Sequence, residues 1–323
     1  MIVHAVRKAA GALLGMSLLM STIFTGVALA DGKQPGLKNF IAPLRAQAGP
    51  VLSLPLGAIP TTEIWASMGF RYGTYDRGLA TYKAVQTALV LGGEWSPSSL
   101  DRLGLGGSIT AFTSTTLMID LPPAIDEKST YFDLGLMEIH GRFRILELKW
   151  RGPDKKWPLE LALTPFFRLG LPTDTSRIRE DRHMPIRGVI DDRVIDGPYF
   201  LIEPGAALGV TLGVFCVYTH QGVLFAPIHG QDKTHVFYSM HYGLGARIAG
   251  LVEIVVEANG LMRFTENIAH ERLAAWAVSP GVRLVLDSAS LELSSRLGLG
   301  NDAYDPYGDV TLGLTFGWKF QGV

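Results

Sequence analysis

From Thr61 onward, apolar residues recur at every second position along short runs rich in glycine and aromatic residues. A period of two is the side-chain period of a β-strand, whereas an amphipathic helix repeats about every 3.6 residues. Clusters of turn-forming residues separate the runs. The pattern predicts twelve strands, at residues 62–75, 81–95, 101–115, 131–150, 157–172, 199–212, 214–226, 235–248, 251–264, 272–286, 290–299 and 309–320.

Most of these runs have one apolar side and one polar side. In strand 251–264, Val256 and the apolar residues on its parity alternate with Glu253 and Glu257. In the last strand, leucine and aromatic residues alternate with threonine and glycine. A barrel in a membrane needs an apolar outer face and a polar lumen, whereas a soluble barrel needs the opposite. Strand 214–226 carries apolar residues at both parities, so its faces stay unassigned.

The connections between the predicted strands alternate in length. Short turns follow the even-numbered strands, whereas most connections after the odd-numbered strands are longer. The longest, residues 173–198, is rich in arginine and aspartate, and Asp76–Leu79 is the short exception. Short turns at one end and long loops at the other are typical of outer-membrane barrels, whereas a soluble sandwich has no reason to alternate in this way.

The last predicted strand carries the most specific motif, Thr311-x-Gly313-x-x-Phe316-x-Trp318-x-Phe320. It resembles the assembly signal of bacterial outer-membrane β-barrel proteins of the porin-like class, although Gln321-Gly322-Val323 follows the final aromatic residue. The resemblance implies an all-β fold, a single transmembrane antiparallel up-and-down β-barrel of about twelve strands. It also implies location in the cell outer membrane, contact with its lipid and lipopolysaccharide, and recognition of this strand by the barrel-assembly machinery.

Composition narrows the function classes. Charged residues make up 18% of the 323 residues, below the roughly 25% of average soluble proteins. Lysine and arginine number 29 against 30 acidic residues, so no nucleic-acid partner is expected, because DNA-binding proteins are basic. The single cysteine excludes a disulfide framework. No apolar run of 18 residues follows the N-terminal segment, which argues against a helical membrane protein.

The first sixty residues differ from the rest of the chain. Residues 1–30 combine Arg7 and Lys8 with an apolar stretch and Ala28-Leu29-Ala30, which together predict a cleavable signal peptide for export rather than a membrane anchor. Residues 31–60 hold five prolines, which central strands exclude. They are predicted to form a periplasmic leader or a plug in the lumen, and a flexible terminus is a third interpretation. Residues 61–323 are the predicted barrel.

Charged residues at inward positions are the candidates for function. Such residues set ion selectivity in channels, so the favoured function is a narrow channel or passive transporter for small solutes. In small barrels, paired charges also brace the wall, and the alternative is a structural or surface-interaction barrel without a conducting pore. The predicted lumen-lining residues are Glu138, His140, Arg142, Arg144, Glu160, Arg168, His241, Arg247, Glu253, Glu257, Arg263, Arg283, Glu292 and Arg296, and Glu63, Arg71, Arg102 and Glu203 share these inward positions.

An enzyme acting on lipid or lipopolysaccharide is a minor alternative. Ser239 and His241 leave the same face of one strand, but no Gly-x-Ser-x-Gly pattern is present. No catalytic residue, cofactor or metal ligand is assigned. The tryptophans lie mostly near predicted strand ends, which indicates an interfacial girdle; they are Trp65, Trp95, Trp150, Trp157, Trp276 and Trp318.

Overall fold

The computed structural model describes most of the predicted barrel and part of the segment before it. The described residues are 40–45, 56–77, 80–119, 128–150, 158–172, 201–227, 234–264, 274–299 and 310–320. The predicted signal peptide and the 173–198 loop lie outside them. Among the described residues, no helix is both long enough and apolar enough to cross a membrane.

The described residues form thirteen strands and one short 3-10 turn at Ser98–Leu100. All strands belong to one antiparallel sheet in which most neighbours in sequence are also neighbours in space. The strands are β1 (Glu63–Arg77), β2 (Ala80–Trp95), β3 (Leu103–Ile119), β4 (Lys128–Phe143), β5 (Leu146–Trp150), β6 (Leu159–Pro172), β7 (Leu201–Leu212), β8 (Phe215–Pro227), β9 (Thr234–Ile248), β10 (Val252–Arg263), β11 (Ala274–Val285), β12 (Ala289–Gly298) and β13 (Val310–Lys319).

The sheet closes on itself, which confirms the predicted barrel. β13 pairs with β1, with Gly69 opposite Gly313, and β4 pairs with β6 as well as with β3. Closure removes the free edges that an open sheet would leave in lipid. β4 and β5 share β6 as a partner and together occupy one position in the wall, so the barrel has twelve strands plus this short additional one.

The prediction of one continuous strand over 131–150 is wrong at Arg144 and Ile145. The Arg144 amide donates to the carbonyl of Arg102, whereas the Ile145 amide donates to the carbonyl of Leu163. Because β3 begins only at Leu103, the chain beyond this point has no partner on that side. β5 therefore continues along β6 alone, at the end of the barrel that carries the short turns.

The predicted alternation of faces is confirmed. The outer surface is apolar: Leu293 on β12 is 64% exposed and Phe316 on β13 is 51% exposed. Their sequence neighbours Glu292 and Thr315 are buried inside the barrel. An apolar exterior around a polar, charged interior is the arrangement that a lipid environment requires. On β8, whose faces the sequence left open, Cys216, Tyr218 and His220 point inward and Val217 points outward.

Two tight turns at the short-turn end need a backbone conformation that favours glycine. Gly213, between β7 and β8, has φ of 60°, and Gly250, between β9 and β10, has φ of 71°. These turns keep consecutive strands adjacent, so the inward side chains of β7 to β10 converge on one part of the lumen.

Candidate functional site: an occupied barrel lumen

Two pieces of the chain before β1 lie inside the barrel. They are residues 40–45 and 56–60, and together we refer to them as the inner segments. The side chains of Phe40, Ile41 and Leu44 are buried. Since the barrel wall surrounds them, the inner segments occupy space that would otherwise be lumen.

The first inner segment packs on an apolar part of the wall. Phe40, Ile41 and Leu44 form one buried cluster with Cys216 and Val255, and the same cluster includes Ala58, Ala162 and Tyr218. Apolar side chains at inward positions are unusual in a polar lumen, and here they meet the apolar side chains of the inner segment. Cys216 on β8 and Val255 on β10 thus point inward at the place where the first inner segment packs.

Three inward-facing glycines leave room for these side chains. A Cβ atom at Gly209 would lie 2.5 Å from the Phe40 ring. A Cβ at Gly245 would lie 2.7 Å from Ile41, and a Cβ at Gly281 would lie 2.7 Å from Leu44. Such distances are far below normal van der Waals contact, so any larger residue would displace the inner segment. We call Gly209, Gly245 and Gly281 the glycine sockets.

Charged side chains of the wall bind the backbone of the inner segments. Carboxylates accept hydrogen bonds from backbone amides, and guanidinium groups donate to backbone carbonyls. The polar backbone groups of the buried inner segments therefore have partners. The amide of Leu44 donates to Glu257 Oε1 at 2.8 Å and that of Arg45 donates to Glu292 Oε1 at 2.8 Å. The other such contacts run from Arg283 to the carbonyls of Ala42 and Pro43 and from Arg142 to those of Gly57 and Ile59. The neutral hydroxyl of Thr164 also donates to the carbonyl of Ala58.

Arg283 is the centre of one charge network. Its Nη2 lies 2.5 Å from Glu292 Oε2 and its Nη1 lies 2.9 Å from Glu253 Oε2. Glu253 also pairs with Arg247. These four side chains are all buried, and a buried charge is tolerated only when it is paired and hydrogen-bonded. The network links β9, β10, β11 and β12 and holds the first inner segment at the same time.

A second network surrounds Glu94 on β2. Arg142 Nη2 lies 2.6 Å from Glu94 Oε1, and His140 Nε2 lies 3.2 Å from Glu94 Oε2. The amide of Thr61 donates to the same carboxylate at 2.6 Å. Since Arg142 also binds the carbonyl of Ile59, this network fixes the second inner segment just before β1 begins.

A third network surrounds Glu203 on β7. The Glu203 carboxylate accepts a hydrogen bond from Ser239 Oγ at 2.5 Å and pairs with Arg168 at 3.2 Å. The amide of Leu56 donates to His220 Nδ1 at 3.0 Å, so the ring proton lies on Nε2, which donates to Glu203 at 3.3 Å. His220 thus connects the inner segment to the Arg168–Glu203 pair.

The structure brings most of the predicted lumen residues inside the barrel, where they are buried. These are Glu138, His140, Arg142, Arg144, Glu160, Arg168, His241, Arg247, Glu253, Glu257, Arg283, Glu292 and Arg296, together with Glu63, Arg71 and Glu203. Arg263 ends β10, and its side chain lies outside the described part. Arg102 is exposed in the turn before β3, so its inward assignment is wrong.

Arg142 near the end of β4 and Arg144 just past that end have different partners, although both point inward. Arg142 lies in the lumen against the second inner segment, whereas Arg144 pairs with Asp101 at 3.1 Å and Glu147 at 3.0 Å. Arg144 therefore braces the short-turn end of the barrel, where β4 gives way to β5.

Sequence reasoning missed several residues of the site. Tyr218 donates to Glu257, and Arg45 pairs with Glu63 and lies 4.4 Å from the Trp65 ring centroid. Trp65 is buried inside the barrel, so its girdle assignment is wrong. Its parity with Glu63 was the available signal, because residues two apart in a strand share a face. Of the other tryptophans, Trp95, Trp150, Trp276 and Trp318 are exposed on the outer surface, and Trp157 lies outside the described residues.

The Ser239–His241 pair does not form a nucleophile–base hydrogen bond among the described contacts. Ser239 donates to Glu203 instead. His241 Nδ1 donates to Asn259 Oδ1, because the amide of Asn259 is turned to donate to Ser279 Oγ at 2.9 Å. Within the described part of the chain, no three histidine, cysteine or acidic side chains are placed to hold a metal ion.

Open space remains beside the inner segments. A cavity of about 730 Å³ adjoins Phe40, Ala42 and Arg45, and the turns at 96–101 and 286–289 line its other side. A smaller cavity of about 60 Å³ lies between the inner segments and the β1–β4 wall, beside Glu138. The larger space connects the inner segments with the short-turn end of the barrel.

Comparison with known proteins gives the fold. No family model and no curated protein matches the sequence. An outer-membrane channel of Pseudomonas putida is 14% identical, with a TM-score of 0.53 over 82% of this chain and 97% of that chain. The translocator domain of the autotransporter NalP from Neisseria meningitidis is 8% identical, with a TM-score of 0.46 over 97% of this chain and 98% of that chain. The outer membrane phospholipase A of Escherichia coli is 12% identical, with a TM-score of 0.38 over 84% and 93%.

The fold is that of an outer-membrane β-barrel. Together with the apolar exterior, it places the chain in the outer membrane in contact with lipid. A shared fold does not by itself define a function, so the function has to be argued from the lumen itself.

Proposed function

We propose that this chain is an outer-membrane channel for small solutes whose lumen the inner segments close. The observation that carries the proposal is the placement of residues 40–45 and 56–60 inside the wall, held by charged side chains of several strands. The similarity of the barrel to a channel of Pseudomonas putida supports the same role.

Passage requires the inner segments to move. Most of their backbone contacts are hydrogen bonds to polar or charged side chains, which water satisfies when the segments leave. The apolar cluster around Leu44 is small, and the wall contributes to it Ala162, Cys216, Tyr218 and Val255 beside the glycine sockets. The wall itself is held by a continuous ladder of strand pairs, so the inner segments move without opening the sheet. The open lumen presents the charges that the closed state uses as anchors.

Single-channel recording in planar bilayers tests the proposal with a matched pair of variants. Leu44 is fully buried in the apolar cluster, so Leu44→Asp expels the first inner segment, whereas Leu44→Met keeps volume and polarity. We expect wild type and Leu44→Met to show small, infrequent openings and Leu44→Asp to carry a several-fold larger steady current. Labelling of Cys216, the only cysteine in the chain, reports independently whether the segment has left.

The buried ion pairs favour a second candidate, a structural barrel without a conducting pore. The pairs Arg283–Glu292 and Arg168–Glu203 join neighbouring strands and brace the wall. The same recordings separate the two functions. If Leu44→Asp makes Cys216 reactive but no current flows, the lumen does not conduct and the structural function replaces the channel.

A further inference from the structure

The wall binds the inner segment in a way that suits peptides in general. Glu257 and Glu292 accept from the amides of Leu44 and Arg45, and Arg283 donates to the carbonyls of Ala42 and Pro43 at 3.0 Å each. Amides and carbonyls are present in every peptide. Buried, ionised groups aimed at them form a site that recognises a peptide main chain irrespective of its sequence.

The side-chain contacts add a sequence preference. The glycine sockets receive the aromatic ring of Phe40 and the branched side chains of Ile41 and Leu44. The guanidinium group of Arg45 pairs with Glu63 and stacks over Trp65. A ligand that fits both parts carries two adjacent apolar residues, a third apolar residue three positions later, and then a cation.

We propose that the lumen is a peptide-binding site that residues 40–45 occupy in cis, and that short apolar peptides ending in a basic residue bind there in trans. This inference rests on the proposed function, because a free peptide enters only when the inner segment leaves. The cavity beside Phe40, Ala42 and Arg45 provides the space through which a peptide reaches the site from the short-turn end.

The covalently attached segment competes with any free peptide at a high effective concentration. The test therefore uses the full-length variant F40A/I41A/L44A, which empties the glycine sockets and keeps the rest of the chain. Cys216 packs in the same cluster and is 2% exposed, so its reaction with a maleimide reports whether the site is occupied. We expect the variant to label at least tenfold faster than wild type.

The ligand probe is the peptide acetyl-Phe-Ile-Ala-Pro-Leu-Arg-amide, which reproduces residues 40–45. We expect it to restore protection of Cys216 in the variant and to block the variant's current. Two control peptides separate the contributions. In the first, serine replaces the three apolar residues, which removes the socket contacts. In the second, N-methylation of the leucine removes the N–H that donates a hydrogen bond to Glu257. Each change should weaken protection of Cys216 about tenfold or more. In the variant background, Gly245→Val fills one socket and should weaken protection similarly.

The outcomes distinguish the peptide site from the channel. If the variant labels quickly and conducts, but the peptide at millimolar concentration neither protects nor blocks, the peptide site is wrong and the channel stands. Protection without any current would support the peptide site and contradict the channel. Equal protection by all three peptides would mean nonspecific adsorption and would overturn the inference. If F40A/I41A/L44A does not fold, the variant I41A/L44A takes its place. Labelling of Cys216 as slow as in wild type in that second variant would also overturn the inference.

Discussion

At the scale of single residues, the charges of the lumen serve both the wall and the inner segments. Arg283 pairs with Glu253 and Glu292 and also donates to two carbonyls of the first inner segment. Glu257 accepts from the Leu44 amide of the segment and from the Tyr218 hydroxyl of the wall. Its loss removes the acceptor of the Leu44 amide and leaves the salt bridges of Arg283 in place, so we expect it to affect the segment first.

Glu257→Ala tests this distinction. The change leaves the amide of Leu44 and the hydroxyl of Tyr218 without their acceptor, and each unsatisfied buried group costs about 1–3 kcal/mol. Since 1.4 kcal/mol is roughly a factor of ten in an equilibrium, we expect Cys216 to label about tenfold faster or more. Glu138→Ala is the control, because Glu138 is also buried but its hydrogen bond goes to Ser108 on the wall. Equal labelling of the two variants would remove Glu257 as an anchor.

The outer face allows an equally local prediction. Leu293 in the middle of β12 and Leu299 just past its end both point outward and are well exposed. Arginine at the bilayer midplane of a barrel costs about 2–4 kcal/mol, falling to about 0–1 kcal/mol near the interface. We therefore expect Leu293→Arg to destabilise the barrel by about 2–4 kcal/mol and Leu299→Arg by no more than about 1 kcal/mol.

Urea unfolding in lipid vesicles measures both changes in unfolding free energy. Because the substitution and the outward face are the same, depth is the main difference between the two variants. Similar losses would mean that Leu293 does not lie at the centre of the apolar belt.

At the scale of elements, the inner segments and the interrupted strand give Arg142 and Arg144 different structural roles. The sequence places both on one face, among the predicted lumen-lining residues. The break between β4 and β5 falls at Arg144, which then pairs with Asp101 and Glu147 at the short-turn end. Only Arg142 reaches the second inner segment.

We expect Arg142→Ala to increase the channel current more than Arg144→Ala does. Removing Arg142 frees the carbonyls of Gly57 and Ile59 and leaves Glu94 with His140 and Thr61 as partners. Removing Arg144 weakens only the brace beside the turn. Single-channel recordings of both variants at one salt concentration make the comparison, and a larger current from Arg144→Ala would contradict the assignment of Arg142 as the anchor.

The strands were predictable because a period of two is a local property. The break at Arg144 was not predictable, since it depends on where β3 begins, and β3 lies elsewhere in the sequence. The position of Trp65 could have been predicted, because it shares the parity of Glu63 and Ser67. For β8, apolar residues at both parities hid the inward face; of the inward ones, Cys216 and Tyr218 pack on the inner segment.

At the scale of the whole molecule, the lumen contents depend on contacts between distant parts of the chain. The hydrogen bond from Leu44 to Glu257 joins residues 213 positions apart, and that from Arg45 to Glu292 joins residues 247 positions apart. The inner segments have no strand or helix pattern, and their prolines indicate only irregular structure. The sequence thus leaves a periplasmic leader, a plug and a flexible terminus open, whereas the structure shows residues 40–45 packed against the glycine sockets.

The wall and the inner segments also differ in what stabilises them. Each strand pairs with its neighbours through backbone hydrogen bonds around the full circle, and the outer side chains lie in lipid. None of these interactions includes residues 40–45.

A barrel in which Gly-Ser-Gly-Ser-Gly-Ser replaces residues 40–45 should therefore still fold and stay in the outer membrane. Inside it, Glu257 and Arg283 would exchange their contacts to the segment for contacts to water, which favours an open, hydrated lumen. We expect the replaced protein to keep the heat-dependent shift in electrophoretic mobility that folded barrels show, to unfold at a lower temperature than wild type, and to carry a larger current. Loss of the mobility shift would mean that the segment is a core on which the barrel assembles, and that its departure cannot be the opening step.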